Sequence, residues 1–217
     1  MQLKKGIYMQ KIILSLIPAI GLLLPLMAQA QGTLYVSNLG QTPTGSASIG
    51  SDAWIAQSII TGTDSSGYIL NSIQLLMNTA SGNPSGFNVS LYSSLSGEPY
   101  NNLGNLVGSD PSVGGIFTYT ANGLTLSPST DYFIVLTAAT PVAEGAYDWS
   151  AANSFTESNQ WQLNDAYFSS PDGSGWTGHA RGDVFQLAIN ATVVPEPATL
   201  TLAGLGLACL SFWRRGQ

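Results

Sequence analysis

The 217-residue chain is poor in the side chains that do chemistry. It has one cysteine, one histidine and six lysines and arginines, and only 8% of it is charged. Cys209 falls in an apolar stretch near the C-terminus, so residues 31–193 contain neither a disulfide nor a thiol nucleophile. His179 alone cannot build a multi-histidine zinc site or the two-histidine iron triad. No G-x-S-x-G elbow presents a serine nucleophile. The basic residues are Lys4, Lys5, Lys11, Arg181, Arg214 and Arg215, so residues 31–193 set Arg181 against eleven acids, a formal charge of −10. A surface of that sign cannot neutralise phosphates, which excludes nucleic acid and anionic lipid as partners of this region.

What is present is concentrated first at the two ends. Lys4, Lys5 and Lys11 precede an apolar run from Ile12 to Met27, and Ala28-Gln29-Ala30 follows as a small-x-small site. Residues 1–30 therefore read as a signal peptide that signal peptidase cuts after Ala30, leaving Gln31 first. At the other end, Val194-Pro195-Glu196-Pro197 leads into the uncharged residues 198–213 and then Arg214-Arg215. Sixteen helical residues span ~24 Å, a short membrane helix, and the arginine pair should stay on the cytoplasmic side.

The order of a Pro-Glu-Pro motif, an apolar helix and an arginine pair resembles the PEP-CTERM sorting signal, here covering residues 194–217. The resemblance implies an exported protein of a Gram-negative bacterium that makes extracellular polysaccharide. An exosortase, a membrane cysteine transpeptidase, would be its partner, with Pro195, Glu196, Pro197, Arg214 and Arg215 as recognition positions. The protein would be anchored in the membrane through residues 198–213 before processing. Afterwards it would reside at the cell surface or in the polysaccharide matrix.

Between the two addresses, residues 31–193 alternate short apolar runs with Gly, Ser, Thr and Asn. Phe87, Val89 and Leu91 share one face of a strand, and so do Phe185, Leu187, Ile189, Ala191 and Val193. Tyr132 to Leu136 is a solid apolar run of the kind a central strand shows. Ala53 to Thr61 and Tyr68 to Met77 are further strands. Asn122-Gly123, between Gly115–Ala121 and Leu124–Leu126, predicts a type I′ hairpin turn. No segment shows a capped helical stripe. The pattern predicts an all-β domain, an antiparallel β-sandwich of jelly-roll-like type. Asp52-Ala53-Trp54-Ile55-Ala56-Gln57-Ser58, with the later Val89–Ser93, Gly123–Leu126 and Thr130–Leu136 runs, resembles the choice-of-anchor domains, notably type R. That resemblance implies a secreted β-domain and no assigned reaction.

Candidate chemistry is sparse. Asp165, Asp172 and Asp183 are the carboxylates that could pair as in a glycosidase. Asp172-Gly173-Ser174-Gly175 is short of the acids of a calcium loop. His179, flanked by glycines, reads as an exposed loop residue. Trp149, Trp161 and Trp176 could stack on sugars, and the competing expectation is that they fill the core. No catalytic, cofactor or metal residue is expected. The sequence thus points to a non-enzymatic exported protein. A carbohydrate-binding module would instead show those tryptophans side by side on the surface. A secreted matrix hydrolase would show two close carboxylates in a cleft.

Overall fold

The computed structural model describes residues 32–153, 156–157, 160–180, 182 and 184–195. The expected signal peptide with Ala28 and Ala30, the residues Glu196 and Pro197, the membrane helix 198–213 and Arg214-Arg215 lie outside them.

Fifteen strands and no helix make up the described residues. They are β1 (Thr33–Ser37), β2 (Gly45–Ile49), β3 (Trp54–Ile60), β4 (Tyr68–Gly82), β5 (Asn88–Leu95), β6 (Glu98–Leu106), β7 (Gly115–Thr120) and β8 (Thr125–Leu126). Then come β9 (Asp131–Thr137), β10 (Gly145–Ala152), β11 (Thr156–Glu157), β12 (Gln162–Ser170), β13 (Thr177–Ala180), β14 (Val184–Phe185) and β15 (Leu187–Val193). A nine-stranded sheet runs β11-β1-β15-β4-β10-β14, with β2 added on β10 and with β7 and β8 on β4. A six-stranded sheet runs β13-β12-β3-β9-β5-β6. Every strand pairing is antiparallel.

Period-two alternation puts one face of each sheet into a shared core. Ile73, Leu75, Trp149, Leu187 and Ile189 come from the nine-stranded sheet, and Ile55, Ile59, Val89, Leu91, Ile134 and Leu136 from the six-stranded one. Each such aliphatic side chain contributes about 1.5–3 kcal/mol by leaving water. The run Tyr132–Leu136 of strand β9 is apolar at every position for a further reason. Ile134 and Leu136 face that core, while Phe133 and Val135 are buried in a second cluster on the opposite face of the sheet.

Two expectations need correction. Asn122-Gly123 does not make a type I′ hairpin, which requires positive φ at both residues. Among this pair only Gly123 takes one, at 70°. Strands β7 and β8 do not pair with each other but follow one another along the same edge of β4, opposite residues 72–77 and 68–69. The Asn-Gly pair is an interruption in one strand line. The run from Val184 to Val193 is likewise broken at Gln186, between β14 and β15. There the Gln186 side chain is fully buried and accepts from Ser150 Oγ at 2.7 Å. It donates to the carbonyls of Asn38 at 3.1 Å and Gln41 at 2.8 Å.

Candidate functional site

The Asp52–Ser58 motif resolves into structural tasks. Asp52 Oδ1 accepts the Val142 N–H at 2.8 Å and so ties two loops together. Trp54 donates from Nε1 to the Ser51 carbonyl at 3.1 Å and lies on the outer face of the six-stranded sheet. Ala56 is fully buried beneath that outer cluster. Gln57, on the opposite face, donates Nε2 to the Asn164 carbonyl at 2.7 Å and accepts the Phe185 N–H on Oε1 at 3.1 Å. Ser58 Oγ donates to Asp131 Oδ1 at 2.6 Å. Every polar member is occupied in holding the fold.

The three tryptophans separate. Trp149 is fully buried, stacks on Phe185 with centroids 4.5 Å apart, and donates Nε1 to the Gln186 carbonyl at 3.0 Å. Trp161 is also fully buried, stacked on Tyr35 at 4.9 Å and edge-on to Tyr68 at 5.0 Å. Its Nε1–H has no acceptor among the described residues. The sugar-contact expectation is therefore wrong for Trp149 and Trp161, whose rings are enclosed by core neighbours. Trp176 is different: it is half-buried and packs on the outer cluster formed by Ala56, Phe133 and Val135.

Its neighbours there were not foreseen as a group. Trp54, Tyr92 and Phe168 are the other half-buried rings on that cluster, brought together from β3, β5 and β12. Register explains the meeting. Ala56 stands opposite both Phe168 and Val135, and Phe133 stands opposite both Ser58 and Tyr92. The β12–β13 turn closes over the rim. Gly173, at φ 78°, comes so near the Trp54 ring that a Cβ there would lie 2.5 Å from it. Beside the rings, on the same face, runs a row of polar groups. Asn88 Nδ2 donates to Ser90 Oγ at 2.7 Å, Ser90 Oγ to Asn105 Oδ1 at 2.9 Å, and Asn102 Nδ2 to the same oxygen at 3.0 Å.

A cleft of about 470 Å³ is lined by Tyr35, Thr63, Asp64, Tyr68, Gln160 and Val193, with Asp64 its single carboxylate. Burial, with Tyr68 and Asp64 nearby, raises the pKa of Tyr35. Asp165 and Asp172 do not line this cleft, and Asp183 lies outside the described residues. Asp172 Oδ1 accepts both the hydroxyl of Ser174 at 2.7 Å and its N–H at 2.9 Å, which lowers its pKa and closes a local turn. No three His, Cys, Asp or Glu side chains gather as metal ligands among the described residues.

His179 corrects the loop expectation. It sits on β13, half-buried, stacked on Tyr167 at 4.5 Å, with Nε2 2.7 Å from Ser169 Oγ. The flanking glycines are compatible with a strand because Gly178 faces the Phe168 ring, where a Cβ would come within 3.1 Å. No carboxylate contacts the imidazole among the described residues, so the pair lacks the third group that orients a catalytic histidine.

The end of the domain is built around β15, which lies between β1 and β4. Thr33 stands opposite Ala191, and Val193 opposite Tyr68. Val194 N–H donates to the Gly67 carbonyl at 3.0 Å, and Pro195 beyond it is exposed. Residues 193–215 match the PEP-CTERM protein-sorting motif. That motif marks an exported protein, targeted to exosortase and anchored in the membrane before processing. Comparison with curated proteins and with solved structures finds no match.

Proposed function

We propose that this chain is a non-enzymatic exported protein of a Gram-negative bacterium, delivered by exosortase to the cell surface or the extracellular polysaccharide matrix. Residues 31–193 form the cargo, a β-sandwich of jelly-roll-like, choice-of-anchor type, and residues 1–30 take it through the membrane. Residues 198–213 hold it there, with Arg214 and Arg215 inside, until the enzyme acts near Pro195-Glu196-Pro197.

One observation carries this reading. The matched motif starts at Val193, the last residue of β15, and among the described residues the last backbone bond is that of the Val194 N–H to the Gly67 carbonyl. The sorting motif thus follows directly on the last strand of the sheet, and Pro195, the described residue of the Pro-Glu-Pro motif, is exposed. The occupied polar groups of the Asp52–Ser58 motif and the lone carboxylate of the cleft support a cargo role rather than hydrolysis.

The test is replacement of Pro195-Glu196-Pro197 by three alanines in the native host. The variant should accumulate as full-length protein in the membrane fraction, while the wild type is recovered outside the cell without residues 198–217. Release of the variant at the wild-type rate, or wild-type protein outside the cell that still ends in Arg214-Arg215-Gly216-Gln217, would overturn the proposal.

A further inference from the structure

We propose that the outer face of the six-stranded sheet is a binding platform for a neutral saccharide chain. The platform stands on β12, β3, β9, β5 and β6, which are consecutive neighbours. At a strand spacing of about 4.8 Å they give a run of ~19 Å, enough for several sugar units.

Three observations define the ligand chemistry. The first is the rings. Ala56, Phe133 and Val135 have no exposure at all, although they point away from the main core, so something must cover them. Trp54, Tyr92, Phe168 and Trp176 do so and remain half-buried themselves, which leaves aromatic surface facing water. Aromatic surface of this kind takes the C–H face of a pyranose, and Tyr and Trp add a polar edge.

The second is the amide and hydroxyl row next to the rings. Asn88, Ser90, Asn105 and Asn102 are already linked to one another, and Asn102 Oδ1 is fixed by the Gly104 N–H at 2.8 Å. Linked amides hold their orientation before a ligand arrives, which lowers the entropy that binding must overcome. Asn102 and Asn105 are exposed, so the Asn105 amide N–H groups remain available to sugar hydroxyls.

The third is charge. The outer face carries the Asp131 carboxylate, held by Ser58. An anionic chain meets repulsion from Asp131 there, whereas a neutral one gives up no charge solvation. Rings and fixed amides side by side, with a carboxylate among them, fit a neutral glycan. The platform is independent of the sorting reading, because its residues lie far in sequence from residues 193–215 and its test measures binding rather than release.

The experiment uses the full chain purified in detergent, titrated with cellohexaose and maltohexaose as neutral probes and with oligoalginate as an anionic one. Binding is followed by tryptophan fluorescence and calorimetry. One or both neutral oligomers should bind, unaffected by chelator and little affected by salt, and oligoalginate should not. Trp176→Ala and Tyr92→Ala should each weaken binding at least tenfold, and Asn105→Ala severalfold. Asn105→Asp keeps the shape of the site and serves where a ring variant fails to fold; it too should weaken binding. Absence of binding to every neutral oligomer, or binding that survives both Trp176→Ala and Tyr92→Ala in folded protein, would overturn the proposal. So would a dimer, seen by sedimentation, that Tyr92→Ala dissociates, since the face would then belong to a second copy of this chain.

Discussion

The side chain of Gln57 and the backbone of Phe185 join the two sheets. Gln57, on β3 of the six-stranded sheet, accepts the Phe185 N–H of β14 in the nine-stranded sheet at 3.1 Å. Its amide meanwhile donates to the Asn164 carbonyl at 2.7 Å, inside the bulge between Leu163 and Tyr167 of β12. Gln57 has no exposure to solvent, so no water replaces these bonds once they are lost.

Gln57→Leu should therefore be among the most damaging single substitutions in the domain. It leaves a buried donor and a buried acceptor without partners, a loss of about 3 kcal/mol. For a domain of this size that corresponds to a fall in Tm of roughly 6–12 °C. Differential scanning calorimetry of the full chain in detergent checks it. A fall under about 2 °C would show that the bridge contributes little.

Gly173→Ala tests the turn that closes over the aromatic rim. The position has φ 78°, and a Cβ would stand 2.5 Å from the Trp54 ring. The left-handed backbone alone costs about 1 kcal/mol for alanine, and the ring must also move. The expected result is a lower Tm together with a red-shifted tryptophan emission as Trp54 and Trp176 become wetter. Unchanged emission would mean that the turn does not seal the ring cluster.

Alkaline pH should unfold the domain through Tyr119 and Tyr147. Burial, and then the Asp110 carboxylate, push both hydroxyls above the usual tyrosine range; Tyr147 donates to Asp110 Oδ2 at 2.9 Å. A free tyrosine ionises near pH ~10, so folding favours the protonated form of both. That stability is intact below about pH 10 and is lost as pH rises toward the higher folded values. Tm measured from pH 7 to 11 should drop steeply at the alkaline end. Tyr147→Phe should lower Tm at pH 7, by the loss of a bond worth about 1 kcal/mol, yet flatten the alkaline decline. Parallel curves for the two proteins would contradict this assignment.

The tether between domain and membrane segment should limit processing. Among the described residues the last backbone bond is at Val194, and in the sequence only residues 195–197 separate it from Ala198, about 10 Å when extended. Inserting six Gly-Ser residues after Val194 should speed conversion to the released form in a pulse-chase experiment. Slower conversion would reveal that the enzyme gains from contact with the folded domain.

Much of this architecture is legible in the residues, and its limits have physical causes. The alternation of Phe87, Val89 and Leu91 locates β5 because one face of that strand is buried and the other is not. Strand β6 is harder to see: Tyr100-Asn101-Asn102-Leu103-Gly104-Asn105 has no apolar alternation, and its pairing with β5 is what makes it a strand. The amide row was hidden for the same reason. Trp149, Trp161 and Trp176 are chemically alike, and local pattern does not tell a core ring from a surface one. Their fates depend on partners far along the chain, Phe185 for the first, Tyr35 and Tyr68 for the second, and the Ala56–Val135 cluster for the third. The glycines flanking His179 suggest a turn, whereas Gly178 lies on a strand against the ring of Phe168.

The position of β15 carries a consequence for quality control. The last strand of the sheet is an interior one, and until Leu187–Val193 arrives, β1 and β4 each keep an open edge. A polypeptide that stalls or is clipped ahead of this strand therefore exposes two templates for aggregation or proteolysis. It also lacks the residues that earn passage outward, since they follow directly. Structural completeness and the sorting motif thus arrive together, so a chain cut short of β15 has neither.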